Sequence, residues 1–179
     1  LLNQLKNLRE EVTVPVLLMG YINPVIQYGI ESFAEKCAEV GVDGIIVPDL
    51  PIQEYLDSYA EVFNNNGLHN IFLISPNTSE ERIREIDEKS GGFIYVVSSS
   101  SITGAKTGVQ DGQLAYYERI KNLNLSTPQM IGFGISDNET YRTASEYSGG
   151  AIIGSAFIKQ LMNDASDEGI KEFVKRIKG

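Results

Sequence analysis

Short apolar runs bounded by glycine or proline alternate, along almost the whole chain, with longer segments patterned for helices. The runs are VPVLLMGY (14–21), GIIVPD (44–49), NIFLIS (70–75), GFIYVVSS (92–99), PQMIGFGI (128–135) and GAIIGS (150–155). None alternates apolar with polar residues. Each strand is therefore expected to be buried on both faces, the signature of parallel strands covered by helices. The intervening segments supply those helices. IESFAEKCAEVG sets Ile30, Phe33, Ala34, Cys37 and Ala38 on one stripe and stops at Gly41. TSEERIREIDEKSGG opens on a hydroxyl cap with acids in its first turn. Ser136 and Glu139 are spaced as a capping box for the helix after the fifth run. At the start, Leu1, Leu2, Leu5 and Leu8 stand at helical spacing, so residues 1–10 read as the remnant of a preceding helix.

This grammar predicts an α/β fold in a single domain, residues 1–179. Two architectures share it: an open doubly wound sheet and a closed (β/α)8 barrel. A full barrel takes about 250 residues. The expectation is a barrel with roughly its last six βα units present and two lying upstream. Hydrophobic residues make up 42% of the chain, enough for a sizeable core. Net charge is −9 with no basic run, which argues against nucleic acid or an anionic membrane as partner. No apolar run approaches the roughly 20 residues of a spanning helix. A lone cysteine excludes an internal disulfide and suits a cytoplasmic chain. His69, the only histidine, opens a strand and has no Cys/His cluster around it, so no metal site is expected. Cys37, Tyr116 and Tyr117 read as packing residues. Ser98 to Ser101 have no His or Lys placed to activate them and read as loop.

Function is expected where parallel strands end. Gly132-Phe133-Gly134 closes the fifth run and Gly154-Ser155 the sixth, each followed by a helix start. Backbone N–H groups at such turns, with the positive end of a helix behind them, can hold a dianion without side-chain charge. AFIKQLMND is placed to supply the short helix often found at barrel phosphate sites. The pattern points to a phosphate group, against the plainer reading that the glycines only make tight turns.

MGYINP (19–24), GVDGIIVPDLP (41–51), YVVSSSSITG (95–104), GFGIS (132–136) and GAIIGSAF (150–157) together resemble the tryptophan synthase alpha subunit family, in its order and spacing. The likeness runs from Val14 to Lys159. It implies a phosphate-binding (β/α)8 barrel and a cofactor-free retro-aldol cleavage of indole-3-glycerol phosphate to indole and glyceraldehyde 3-phosphate. Indole would pass to a beta subunit, which alone carries pyridoxal phosphate, in an alpha–beta–beta–alpha complex. Gly104, Gly134, Gly154 and Ser155 would cradle the phosphate, and Tyr21, Tyr95 and Phe133 would line the indole and glycerol pocket. Thr103 would belong to the mobile loop after the YVVSS strand. Asn23, Pro24, Asp49 and Pro51 would face the beta subunit. Ser101 stands where the family usually shows glycine in Gly-Val-Thr-Gly.

By the same likeness, the family's catalytic Glu and Asp would precede Leu1, so no catalytic residue is assigned in this chain. Asp43 is at the wrong end of its strand, Asp111 lies far along a loop, and Asp137 suits a helix N-terminus. Asp49 ends a strand, as a lip residue or an acceptor for turn N–H groups. Two alternatives remain: another sugar-phosphate barrel enzyme, or a catalytically silent chain that binds phosphate and activates a partner. The outer strands, 14–21 and 151–155, are expected to leave unpaired apolar edges and to promote self-association.

Overall fold

A computed structural model of the chain describes residues 1–98 and 111–179. It divides into two compact units, Leu1–Phe72 with Lys89–Gly92, and Leu73–Glu88 with Phe93–Gly179.

The first unit opens with a 3-10 turn (Leu2–Leu5) and a single helical turn, α1 (Leu8–Glu11). The predicted opening helix is thus broken after Leu5, and none of its leucines is fully buried. β1 (Leu17–Met19), α2 (Ile22–Tyr28), α3 (Ile30–Glu39), β2 (Gly44–Ile46), α4 (Ile52–Glu54), α5 (Ala60–Asn65) and β3 (His69–Ile71) follow. The three strands form a parallel sheet in chain order, with Leu17 opposite Gly44 and Gly44 opposite His69. β2 is the central strand, and all three of its residues are buried, as a continuous apolar run requires. Ala34 and Cys37 of the α3 stripe are fully buried, as the sequence reading has them. Residues 55–59 form a π-helical turn between α4 and α5. Tyr55 and Tyr59 place their rings 6.1 and 6.2 Å from that of Phe63, which is wholly buried.

Arg9 ties the broken N-terminal segment to this sheet. Its guanidinium donates to the carbonyls of Gly41 (2.8 Å), Val12 (3.1 Å) and Val14 (2.8 Å) and pairs with Asp43. Asp43 also accepts from the Val16 N–H at 2.6 Å.

In the second unit β4 (Leu73–Ile74), α6 (Glu80–Lys89, whose last residue falls to the first unit), β5 (Ile94–Val97), α7 (Asp111–Asn122), β6 (Gln129–Gly132), α8 (Asn138–Tyr147), β7 (Gly150–Ile152), α9 (Ser155–Asn163) and α10 (Asp167–Lys178) succeed one another. Its four strands are parallel in chain order. Ile74, Ile83, Ile94, Val96 and Ile131 make the buried centre, with Phe173 and Ile177 of α10. The run 70–75, expected as one strand, is divided at Phe72, and its two parts pair in different sheets.

One helix signal is displaced. The capping box of α8 is made by Asp137 and Thr140, not by Ser136 and Glu139. The Asp137 carboxylate accepts the Thr140 N–H at 2.9 Å, and the Ser136 hydroxyl donates to that carboxylate. An ionised acceptor one residue closer to the helix wins over a neutral hydroxyl. Tyr116 and Tyr117 are both buried packing residues. Among the described residues, no helix is long and apolar enough to cross a membrane.

Candidate functional site

The register of the second unit pairs Val97 with Gly132 and Gly132 with Ile152. Ser98, the Phe133–Gly134 turn and the Ile153–Gly154 turn therefore leave the sheet side by side at its carboxyl edge. Phe133 and Gly134 are both left-handed, with φ of 65° and 76°. For phenylalanine this conformation costs about 1–2 kcal/mol, so the surroundings have to enforce it. The Phe133 ring lies 5.8 Å from that of Tyr95, which is buried. Gly132 is required by that arrangement, because a Cβ there would collide with the Tyr95 hydroxyl.

Backbone donors gather on this edge. Among the described residues, no carbonyl accepts from the Gly134 N–H. α9 starts at Ser155 with Gly154 as N-cap, and among the described residues no side chain caps it, which leaves its first-turn N–H groups without a partner there. A Cβ on Gly154 would meet nothing within 4 Å. Packing among the described residues does not demand glycine there.

Ser98 corrects the loop reading. It is 2% exposed, and its Oγ donates to the Phe133 carbonyl at 2.5 Å. Its amide donates to the Gly132 carbonyl at 3.1 Å, and the Gln113 side chain donates to its own carbonyl at 3.3 Å. Burial pushes the Tyr117 phenol up from its ordinary range, and a hydrogen bond with the Ser98 side chain works against that. A serine just past an apolar strand, facing a glycine turn 35 residues away in sequence, carries no local signal of this role. Thr103 and Gly104, with Ser99 to Ser101, lie outside the described residues.

In the first unit, Met19 pairs with Ile46, so the MGYINP and VPDLP segments also leave their sheet at one edge. The Asp49 carboxylate accepts the N–H of Ile22, the first residue of α2, at 3.0 Å. The sequence reading gave Asp49 turn N–H groups to accept, and the donor proves to belong to the neighbouring segment. Pro24 sits in the first turn of α2, where its missing N–H is harmless. Tyr21 is 68% exposed, and Asn23, Pro24, Asp49 and Pro51 are exposed as well. Asp43 lies at the opposite end of β2. The Val16 N–H, more than the Arg9 guanidinium, holds its carboxyl below the usual carboxylate range. His69 opens β3 with its ring against Gly91.

Among the described residues, Asp49 is the one acid within three positions past the end of a strand. It is already committed to a backbone donor. Among the described residues neither sheet edge shows an opposed pair of carboxylates.

Parallel strands alternating with helices, with glycine turns past their carboxyl ends, define an α/β protein of the kind that includes the (β/α)8 barrels. The solved structures bear this out. The alpha chain from Legionella pneumophila subsp. pneumophila superposes with a TM-score of 0.80 at 33% identity, over 99% of this chain and 65% of that one. The tryptophan synthase complex from Pyrococcus furiosus gives 0.82 at 29% identity, over 98% and 71%. The family model for the tryptophan synthase alpha chain matches residues 1–178. Among curated proteins, the tryptophan synthase alpha chain of Flavobacterium johnsoniae is 55% identical over 99% of this chain, and that of Christiangramia forsetii 52% over 99%. This chain spans 70% and 69% of their lengths. The chain belongs to the tryptophan synthase alpha chain family, a family of lyases in tryptophan biosynthesis.

Proposed function

We propose that this chain serves the cofactor-free cleavage of indole-3-glycerol phosphate to indole and glyceraldehyde 3-phosphate, and that its own part is to hold the substrate. Gly134, Gly154 and Ser155 take the phosphate, with Gly104 as a further donor. Tyr95 and Phe133 supply an aromatic wall beside that group; Tyr21, the aromatic residue that the family likeness also assigns to indole, stands exposed in the first unit. By the family likeness Thr103 also serves substrate binding, and it lies outside the described residues. By the family likeness the two proton-moving carboxylates are not among these residues, so binding and not proton transfer is assigned to them. Asn23, Pro24, Asp49 and Pro51 form the exposed strip offered to a beta subunit, where pyridoxal phosphate would reside. A Pyrococcus furiosus relative is described as an a2b2 complex with mutual activation of its subunits. The cytoplasm is the expected compartment.

One observation carries the phosphate assignment. Among the described residues, the start of α9 is uncapped with open space over Gly154, on the same sheet edge as a Gly134 N–H that no carbonyl accepts. Three or more converging amides and a helix N-terminus bind a dianion without a cationic side chain.

Glycerol 3-phosphate, titrated into the 15N-labelled chain, should shift the amide signals of Gly134, Gly154 and Ser155 together. Signals that stay put at saturating ligand would overturn the assignment. Indole release from indole-3-glycerol phosphate, measured on the same chain, decides the chemistry. Binding without release fits the substrate-holding role. Release would show that residues after Leu1 move the protons, with Asp49 first to be substituted.

A further inference from the structure

We propose that Ser98 is a positioning residue for the phosphate site, turning the peptide between Phe133 and Gly134 so that the Gly134 N–H faces outward to the ligand. This rests on the phosphate reading above. A trans peptide points its C=O and its N–H in opposite directions within one rigid plane. Whatever fixes the Phe133 carbonyl therefore fixes the Gly134 N–H. The carbonyl is fixed from below. The Ser98 hydroxyl is buried and donates to it at 2.5 Å, and that hydroxyl lies 3.8 Å from where a Cβ of Gly134 would stand.

Without this donor, the carbonyl has no reason to point into the protein. Residues 133 and 134 are both left-handed, with φ of 65° and 76°. Phenylalanine leaves that region readily when released. A rotated peptide would relieve Phe133 and present a carbonyl oxygen to the phosphate in place of a donor. An oxygen facing an anion repels it, so the effect on binding exceeds the loss of one hydrogen bond. Ser98 is itself held in register, since its amide donates to the Gly132 carbonyl at 3.1 Å. β5 thereby sets the geometry of a turn on β6. Ser98 touches no ligand in this scheme and acts wholly through the peptide.

The test compares the unsubstituted chain with S98A, S98C and S98T, using inorganic phosphate as probe and the 15N amide of Gly134 as reporter. Phosphate affinity should fall by about tenfold or more in S98A and S98C, as for loss of a hydrogen bond to a charged group. S98T keeps the hydroxyl and should restore it. The N–H residual dipolar coupling of Gly134, measured without phosphate, should change in S98A and S98C while those of β5 and β6 stay. A purely structural serine would not move that single vector. S98C fills the buried volume and keeps the comparison alive if S98A fails to fold. Equal phosphate affinity in all four proteins overturns the inference and leaves the phosphate site standing. No phosphate binding by the unsubstituted chain overturns the site itself. In that event an unchanged Gly134 coupling in S98C would refute the orienting role as well.

Discussion

Phe133 stands in a conformation that only its neighbours can enforce, and the neighbours are identifiable. Tyr95 flanks its ring, Ser98 holds its carbonyl, and Gly132 makes room for Tyr95. Adding one methyl group at Gly132 should force the Tyr95 ring out of place. G132A is expected to lose about 1–3 kcal/mol, the usual penalty of overpacking a filled site. Urea unfolding of both proteins measures it, and an unchanged midpoint would show that Tyr95 yields freely. A second residue-scale expectation concerns Asp49, whose carboxylate accepts the Ile22 N–H. In D49A that amide should exchange with solvent measurably faster, while the amides inside β2 keep their protection. Unchanged exchange at Ile22 would mean that the turn holds itself without the carboxylate.

Helix starts and strand starts depend on a few ionised aspartates. The Asp137 carboxylate accepts the Thr140 N–H in the capping box of α8, so D137A should cost about 1 kcal/mol, read as a lower midpoint in urea. Asp43 is held low chiefly by the Val16 N–H and then by Arg9. At Asp87 burial pushes the carboxyl up, but the N–H and hydroxyl groups of Ser126 and Thr127 together outweigh it. Thr140 lowers Asp137 through its amide and then its hydroxyl. All three titrate lower in the folded chain than in the unfolded one. As pH falls, the unfolded chain takes up these protons first. The stability they contribute is complete above about pH 5 and is lost as pH drops below about 4 and through the lower folded values. Urea midpoints taken down through that window should fall. They should fall less in a D43N, D87N, D137N triple variant, and an identical slope would remove these carboxyls from the explanation.

At the scale of the molecule, each sheet ends in a strand that pairs on one side only among the described residues. β1 is the first strand of one sheet and β7 the last of the other. Neither is fully buried. Met19 at the end of β1 is 55% exposed, and Ile158 and Met162 on α9 are 56% and 81% exposed. Unpaired backbone beside exposed apolar side chains is a template for association between chains. The isolated chain is expected to gain mass with concentration in light scattering, and an I158K, M162K variant to gain less. A monomer throughout would show these edges to be adequately protected by their short length.

The order of the elements and the parallel sense of the strands were legible in the sequence, because both follow from local periodicity and from apolar runs that demand cover on two faces. The stripe that buries Ala34 and Cys37 is of the same kind, as are the glycine turns at 132–134 and 154. Likeness in five short motifs added the family. Other features depended on partners distant in the chain. The break at Phe72, the commitment of Asp49 to Ile22, the grip of Arg9 on residues 32 and 34 positions away, and the passage of Ser98 from loop serine to buried donor are all of this sort. Periodicity reports which face of an element is apolar. Which particular hydroxyl or carboxylate meets which backbone group is set only when the strands take their register, and that was decided by the tertiary structure.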